Sequence, residues 1–236
     1  MKSNTPHAST ILPVAITAVI GLSAPTASAA VIAANGLNNN TSFSNVDANL
    51  TASTLTNTGS GYSTLGKTEG THWMYFTNNT TTNTTTPTVG DIRLSFSLTP
   101  TSGYKVTLDV TDAVTWDIGA YAASGTTGGI TFYSRVYISD TSDFSNILAT
   151  SAVYSVSATS AGANPVVNLS PTIGASIESS GPLYFGFAFG DNSGVGDKNG
   201  RLDNIIVNGT VSAVPEPGAA LLGGIGLLAL LRRRRA

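Results

Sequence analysis

Cysteine is absent from the 236 residues, which excludes disulfides, thiolate nucleophiles and every zinc site built on sulfur. Histidine occurs only twice, too few to furnish a histidine-rich metal site. Charge is also scarce, at 10% of residues. Between Val31 and Ser212 six basic residues stand against twelve acidic ones, a net charge of −6. A negative body without a clustered basic face excludes nucleic acid as a partner, because neutralising phosphates requires such a cluster. No window ahead of the C-terminal tail carries an apolar stripe of helical period. What is present is a 41% hydrophobic content, enough for one packed domain and too much for a disordered chain.

The two ends carry targeting patterns. Residues 1–29 read as a signal peptide: Lys2 supplies a positive start, Ile11 to Ala24 an apolar stretch, and Ala27-Ser28-Ala29 the small-x-small site of signal peptidase. Pro13 and Pro25 interrupt the stretch and leave it too short for a stable membrane span. Cleavage after Ala29 would make Ala30 the new N-terminus of an exported chain.

The tail, 213–236, has three parts in order. Pro215-Glu216-Pro217 forms a short extended motif, Gly218 to Leu231 a run with no polar side chain, and Arg232, Arg233, Arg234 and Arg235 a basic cluster. The prolines keep the motif extended, the apolar run partitions into lipid, and the arginines hold the end on the cytoplasmic side. Fourteen helical residues span only about 21 Å against a ~30 Å hydrocarbon core, so the span is short and suited to a temporary anchor.

This triplet, helix and arginine cluster resemble the PEP-CTERM sorting signal of Gram-negative bacteria. The resemblance implies recognition of Pro215, Glu216 and Pro217 by exosortase, a transient anchor in the inner membrane, and delivery to the cell surface or extracellular matrix of a bacterium that makes exopolysaccharide.

The body, 30–212, reads as all-β. Ile92, Leu94, Phe96 and Leu98 alternate with Arg93, Ser95 and Ser97, and Tyr104, Val106, Leu108 and Val110 alternate with Lys105, Thr107 and Asp109. Val114/Trp116/Ile118, Ile130/Phe132/Val136/Ile138, Leu183/Phe185/Phe187/Phe189 and the stretch Leu202 to Val207 extend the pattern. Turn-formers separate them at 99–103, 125–129, 140–143 and 191–200. About eight to ten antiparallel strands, one face apolar and the other rich in Ser and Thr, point to a two-sheet β-sandwich or jelly roll. The stretch Arg201 to Gly209 is similar to the last strand of jelly-roll domains that often accompany this signal. The Asn/Thr-rich run 77–87 reads as a solvated loop.

Catalytic patterns are weak. Gly61-Tyr62-Ser63-Thr64-Leu65-Gly66-Lys67-Thr68 fits a phosphate loop letter by letter, but neither a buried strand precedes it nor a helix follows, so it reads as a flexible loop. His72 lacks a nucleophile elbow, and Glu69 and Glu178, the only glutamates of the body, lie far apart in sequence. The expectation is a non-catalytic protein with no cofactor and no catalytic residue. A secreted polysaccharide-active enzyme and a purely structural or adhesive protein are the alternatives. Tyr133, Arg135 and Tyr137 share one strand face and form a candidate sugar platform if the rings are open. The loop Asp191 to Gly200 offers oxygen atoms suited to calcium, without EF-hand spacing.

If Pro215 to Pro217 is a processing site, the mature form should lose the tail and run about 2 kDa below the signal-cleaved precursor of the 24.0 kDa chain. Glu216→Ala should leave the longer form in the membrane. Intact mass spectrometry of surface material that still carries Arg232 to Arg235 would show that the tail is not removed.

Overall fold

The structure is a computed structural model that describes residues 30–36, 41–57, 67–68, 71–72, 74–77, 84–122, 129–160, 165–192, 198–215, 224–226, 228 and 230–233. The signal stretch 1–29 lies outside the described residues. The body is all-β, built on two antiparallel sheets.

The first sheet is organised around its longest strand, β16 (Lys198–Ala213). Along one side of β16 run β9 (Val114–Ala122), opposite residues 198–207, and β8 (Tyr104–Leu108), opposite residues 210–213. Along the other side run β6 (Met74–Thr77) and β1 (Ala30–Asn35). The outer edge is closed by β13 (Val166–Leu169) on β9 and β14 (Ile177–Ser179) on β8. Residues 202–207 of β16 carry a bulge between Asp203 and Ile206 in the pairing with β9. There Asn204 takes a left-handed φ of 48°, a region that Asn tolerates better than most residues. The extra residue resets the alternation, so Leu202, Ile205 and Val207 are all buried although an odd spacing separates the first two.

The second sheet has β15 (Leu183–Asp191) at its centre, between β10 (Ile130–Ser139) and β7 (Ile92–Pro100). Its margins are β11 (Ile147–Thr150) and β12 (Tyr154–Ala158) on β10, with β2 (Leu50–Ala52) and β3 (Thr56–Asn57) on β7. A separate pair, β4 (Lys67–Thr68) with β5 (Thr71–His72), completes the strands.

The two sheets face each other across one core. Trp116 of β9 is fully buried, donates its indole N–H to Ser134 Oγ of β10 at 3.2 Å, and meets Phe187 of β15 edge-on with centroids 5.4 Å apart. Phe96 stacks on Phe185 at 4.7 Å and Phe132 on Phe189 at 5.4 Å. At Gly200 a Cβ would collide with the Phe132 ring, so glycine is what lets β16 approach β10 there.

The other face of β15 differs from the expected solvent-facing side. Phe185, Phe187 and Phe189 point into the core as their alternation requires, but Gly186, Ala188 and Gly190 are buried as well. Phe144 and Ile92 pack where a Gly186 side chain would stand, and Thr84 lies against Gly190. Ile92, Tyr137, Phe144 and Ala188 form a second, smaller apolar cluster there. The run 77–87 is corrected accordingly. Residue 77 ends β6 and residues 84–87 form a strap on β15, its Pro87 buried, while 78–83 lie outside the described residues. Glycine has no side chain and alanine only a methyl to keep the strap away, and that permits the contact.

Phe187→Ala should cost roughly 3 to 5 kcal/mol, a large share of the stability of a domain held by packing alone. Gly190→Val should force the strap off β15 and cost about 1 to 3 kcal/mol. Unchanged denaturation midpoints would show that these two faces of β15 are not covered.

Candidate functional site

Alternation along β10 sends Ile130, Phe132, Ser134, Val136 and Ile138 into the core, and Thr131, Tyr133, Arg135 and Tyr137 to the outer face. The register places Tyr133 opposite Gly190 on one side and Ser155 on the other. Tyr133 and Arg135 are half-buried. Tyr137 is only 6% exposed: it packs in the second apolar cluster and donates its hydroxyl to the Pro87 carbonyl at 3.1 Å. The expected platform of two open rings is therefore corrected to one, because the strap 84–87 and the Phe144 loop cover Tyr137. Arg135 is tied down too. Its Nε donates to the Ser151 carbonyl at 2.8 Å, and its guanidinium lies 5.5 Å from the centre of the Tyr137 ring.

The cover on Tyr137 is held by short polar loops. Ser139 Oγ accepts the Thr141 N–H at 3.0 Å and donates to the Asn146 carbonyl at 2.8 Å. Ser145 donates its hydroxyl and its N–H to Asp143 Oδ1, and these bonds hold the Asp143 carboxyl below the usual carboxylate range. The turn leaves Phe144 in a left-handed conformation with its ring over Gly186. Just after the strap, Thr88 donates its N–H and hydroxyl to Asp91 Oδ2 at 2.8 and 2.9 Å.

One strand position before Tyr133 on the same face, Thr131 borders an open cavity of about 250 Å³ whose polar walls are Thr131, Ser157, Thr159 and Asn192. Thr131 Oγ1 and Ser157 Oγ are 2.8 Å apart, and Asn192 Oδ1 accepts the Thr131 N–H at 2.7 Å. No side chain that lines the cavity is charged. The arrangement presents neutral donors and acceptors two residues from Tyr133 along the same strand face, although Tyr133 itself does not line the cavity; such groups suit a hydroxyl-rich, uncharged ligand. Sequence reasoning reached Tyr133 but not this cavity, since Ser157 comes from β12 and Asn192 directly follows β15, and only pairing with β10 brings them to Thr131.

The remaining candidates stay dispersed. Glu178 forms an ion pair with Lys105 at 2.8 Å, and Glu69 lies outside the described residues. His72 ends β5, paired with Lys67 of β4, while 61–66 of the phosphate-loop pattern and Trp73 lie outside. Of the loop proposed for calcium, Asp191 ends β15 and Lys198 to Gly200 open β16, with 193–197 outside the described residues. Among the described residues no group of three or more His, Asp or Glu gathers as a metal site.

At the C-terminus, β16 ends at Ala213, and the Val214 N–H still donates to the Gly103 carbonyl at 2.8 Å. Pro215 follows at once and is exposed; Glu216, Pro217, Arg234 and Arg235 lie outside the described residues. Residues 224–226, 228 and 230–233 are helical and exposed, Leu228 at 67% and Leu230 at 64% among them, with Arg232 and Arg233 at the described end. No helix among the described residues is long and apolar enough to cross a membrane.

The family model of the PEP-CTERM protein-sorting motif matches residues 213–235. The chain carries a PEP-CTERM protein-sorting motif at its C-terminal end. The motif implies export, exosortase processing and a transient membrane anchor. No curated protein matches this PEP-CTERM chain. Among solved structures it is similar to a cleaved adhesin domain of Lys-gingipain from Porphyromonas gingivalis, at 12% identity over 77% of this chain and 98% of that one, with a TM-score of 0.30. It is also similar to an arabinose-bound MgGH51 α-L-arabinofuranosidase, at 13% identity over 58% of this chain and 22% of that one, TM-score 0.27. A third is TmCBM61 in complex with β-1,4-galactotriose, at 11% identity over 71% of this chain and 90% of that one, TM-score 0.22. At these scores the likenesses carry no reading of what the PEP-CTERM chain binds.

Proposed function

We propose that the chain is an exported, exosortase-processed surface or extracellular-matrix protein whose jelly-roll-like sandwich binds exopolysaccharide without catalysis. The observation that supports the reading is the neutral, hydroxyl-lined cavity on the strand face that also carries the half-buried Tyr133, on a body that runs directly into a sorting signal. Sugar recognition draws on a ring face for stacking and on neutral hydrogen-bonding groups for hydroxyls, and both stand on this face of β10. Catalysis of glycoside hydrolysis draws on two carboxylates across one bond; the only glutamate placed by the described strands, Glu178, is engaged by Lys105.

A purely structural or adhesive role is the second reading. The pinning of Arg135 and the cover over Tyr137 favour it, since both residues serve packing.

The test is retention of the folded body, residues 30–215, on polysaccharide from the producing cell surface. Tyr133→Ala should weaken retention several-fold, equivalent to about 1 kcal/mol, with the thermal midpoint preserved. Tyr137→Ala should lower the midpoint instead. No retention by the unaltered body would leave the structural reading in place.

A further inference from the structure

The strand register gives the body a direction. β1 is antiparallel to β16, with Ala30 opposite Gly209, so the chain enters the fold at the same end from which Val214 and Pro215 leave it. The turn 101–103 joins β7 to β8 at that end: Thr101 N–H donates to the Asn49 carbonyl, and Gly103 holds Val214. β15 also begins there, since Leu183 pairs with Leu98. At the opposite end β16 begins beside Ala122, and Gly200 meets Phe132, the partner of Asp191. The cavity of Thr131, Ser157 and Asn192 belongs to that second end. Sixteen extended residues of β16 separate the two ends by about 50 Å.

Between Val214, the last of the described residues with a backbone hydrogen bond to the body, and the apolar run that starts at Gly218 stand three residues, Pro215 to Pro217. Three residues reach at most about 10 Å, and the two prolines stiffen them. A tether that short cannot bring the far end, about 50 Å away, down to the membrane unless the body lies flat. Lying flat would bring the whole length of a body of net charge −6 against any anionic lipid headgroups of the outer leaflet, which repel it.

We propose that the anchored precursor stands end-on, with the turn 101–103 as the surface that faces the lipid headgroups and the cavity end directed away from the membrane. The proposal rests on the sorting-signal reading of the tail. It assigns each end a role: the end that carries both termini is the one presented to the processing enzymes, and the cavity end is free to meet soluble glycan before the tail is removed.

The chain has no cysteine, so one introduced thiol gives a single labelling site. Ser102→Cys and Ser160→Cys place a fluorophore at exposed positions of the two ends. Thr101→Cys and Thr159→Cys, also exposed, repeat the pair independently. Each tail-bearing variant is incorporated into phosphatidylethanolamine–phosphatidylglycerol vesicles that carry a headgroup-attached quencher, and the floated fraction is measured. Expected is flotation of all four variants, with quenching several-fold stronger at 101 and 102 than at 159 and 160. Equal quenching at the two ends, or stronger quenching at 159 and 160, in floated protein overturns the orientation and leaves the anchor intact. A chain that does not float overturns the anchor itself, and the proposal with it.

Discussion

One strand carries the first sheet. β16 uses both of its hydrogen-bonding edges along nearly all of its length: β9 and β8 follow one another along one side, and β6 and β1 along the other. Loss of β16 would leave four strands without a common neighbour. Its residues show the demand this makes. Gly200 admits the Phe132 ring, Asn204 accepts a left-handed turn at the bulge, and Gly209 leaves room for the Thr107 carbonyl of β8. Asn204 also donates its side-chain amide to Asp117 Oδ2 on β9 at 2.7 Å, which ties the bulge to its neighbour. Because the same strand ends one residue before Val214, the stability of the body and the presentation of the sorting triplet share one segment of chain.

β15 plays the corresponding part in the second sheet by a different device. Its aromatic side chains fill the core, and its glycines and alanine let the strap and the Phe144 loop settle directly on the backbone of the other face. A strand buried on both faces must be apolar or small throughout, and Phe185 to Gly190 meets that condition. The consequence for function is that much of the outer face of the second sheet is closed, and open polar surface remains toward the N-terminal end of β10.

Alternation made the principal strands legible from sequence, since Ile92 to Leu98, Val114 to Ile118 and Leu183 to Phe189 each show period two over a buried face. The sorting tail was legible because its three parts are contiguous. β1 was not, because Ala30 to Asn35 is short, has small residues and draws its stability from β16 across about 170 positions of sequence. The strap escaped notice for a related reason: Thr84 to Pro87 looks soluble by composition, and only glycines a hundred residues away make a seat for it. Tyr133, Arg135 and Tyr137 were rightly placed on one face, but periodicity says which way a side chain points and nothing about what covers it. The cavity walls come from three separate segments of chain, around β10, β12 and the end of β15, so no local pattern could announce them.

The most direct test of this account is hydrogen exchange along β16 in the tail-bearing chain. If β16 is the spine of the first sheet and meets the sorting triplet without a linker, amide protection should be high across residues 199 to 213, continue to Val214 and drop at Glu216, the one amide of the triplet. Exchange at residues 208 to 214 as fast as in an unstructured peptide would contradict it, since the body would then end well short of the triplet on a free linker.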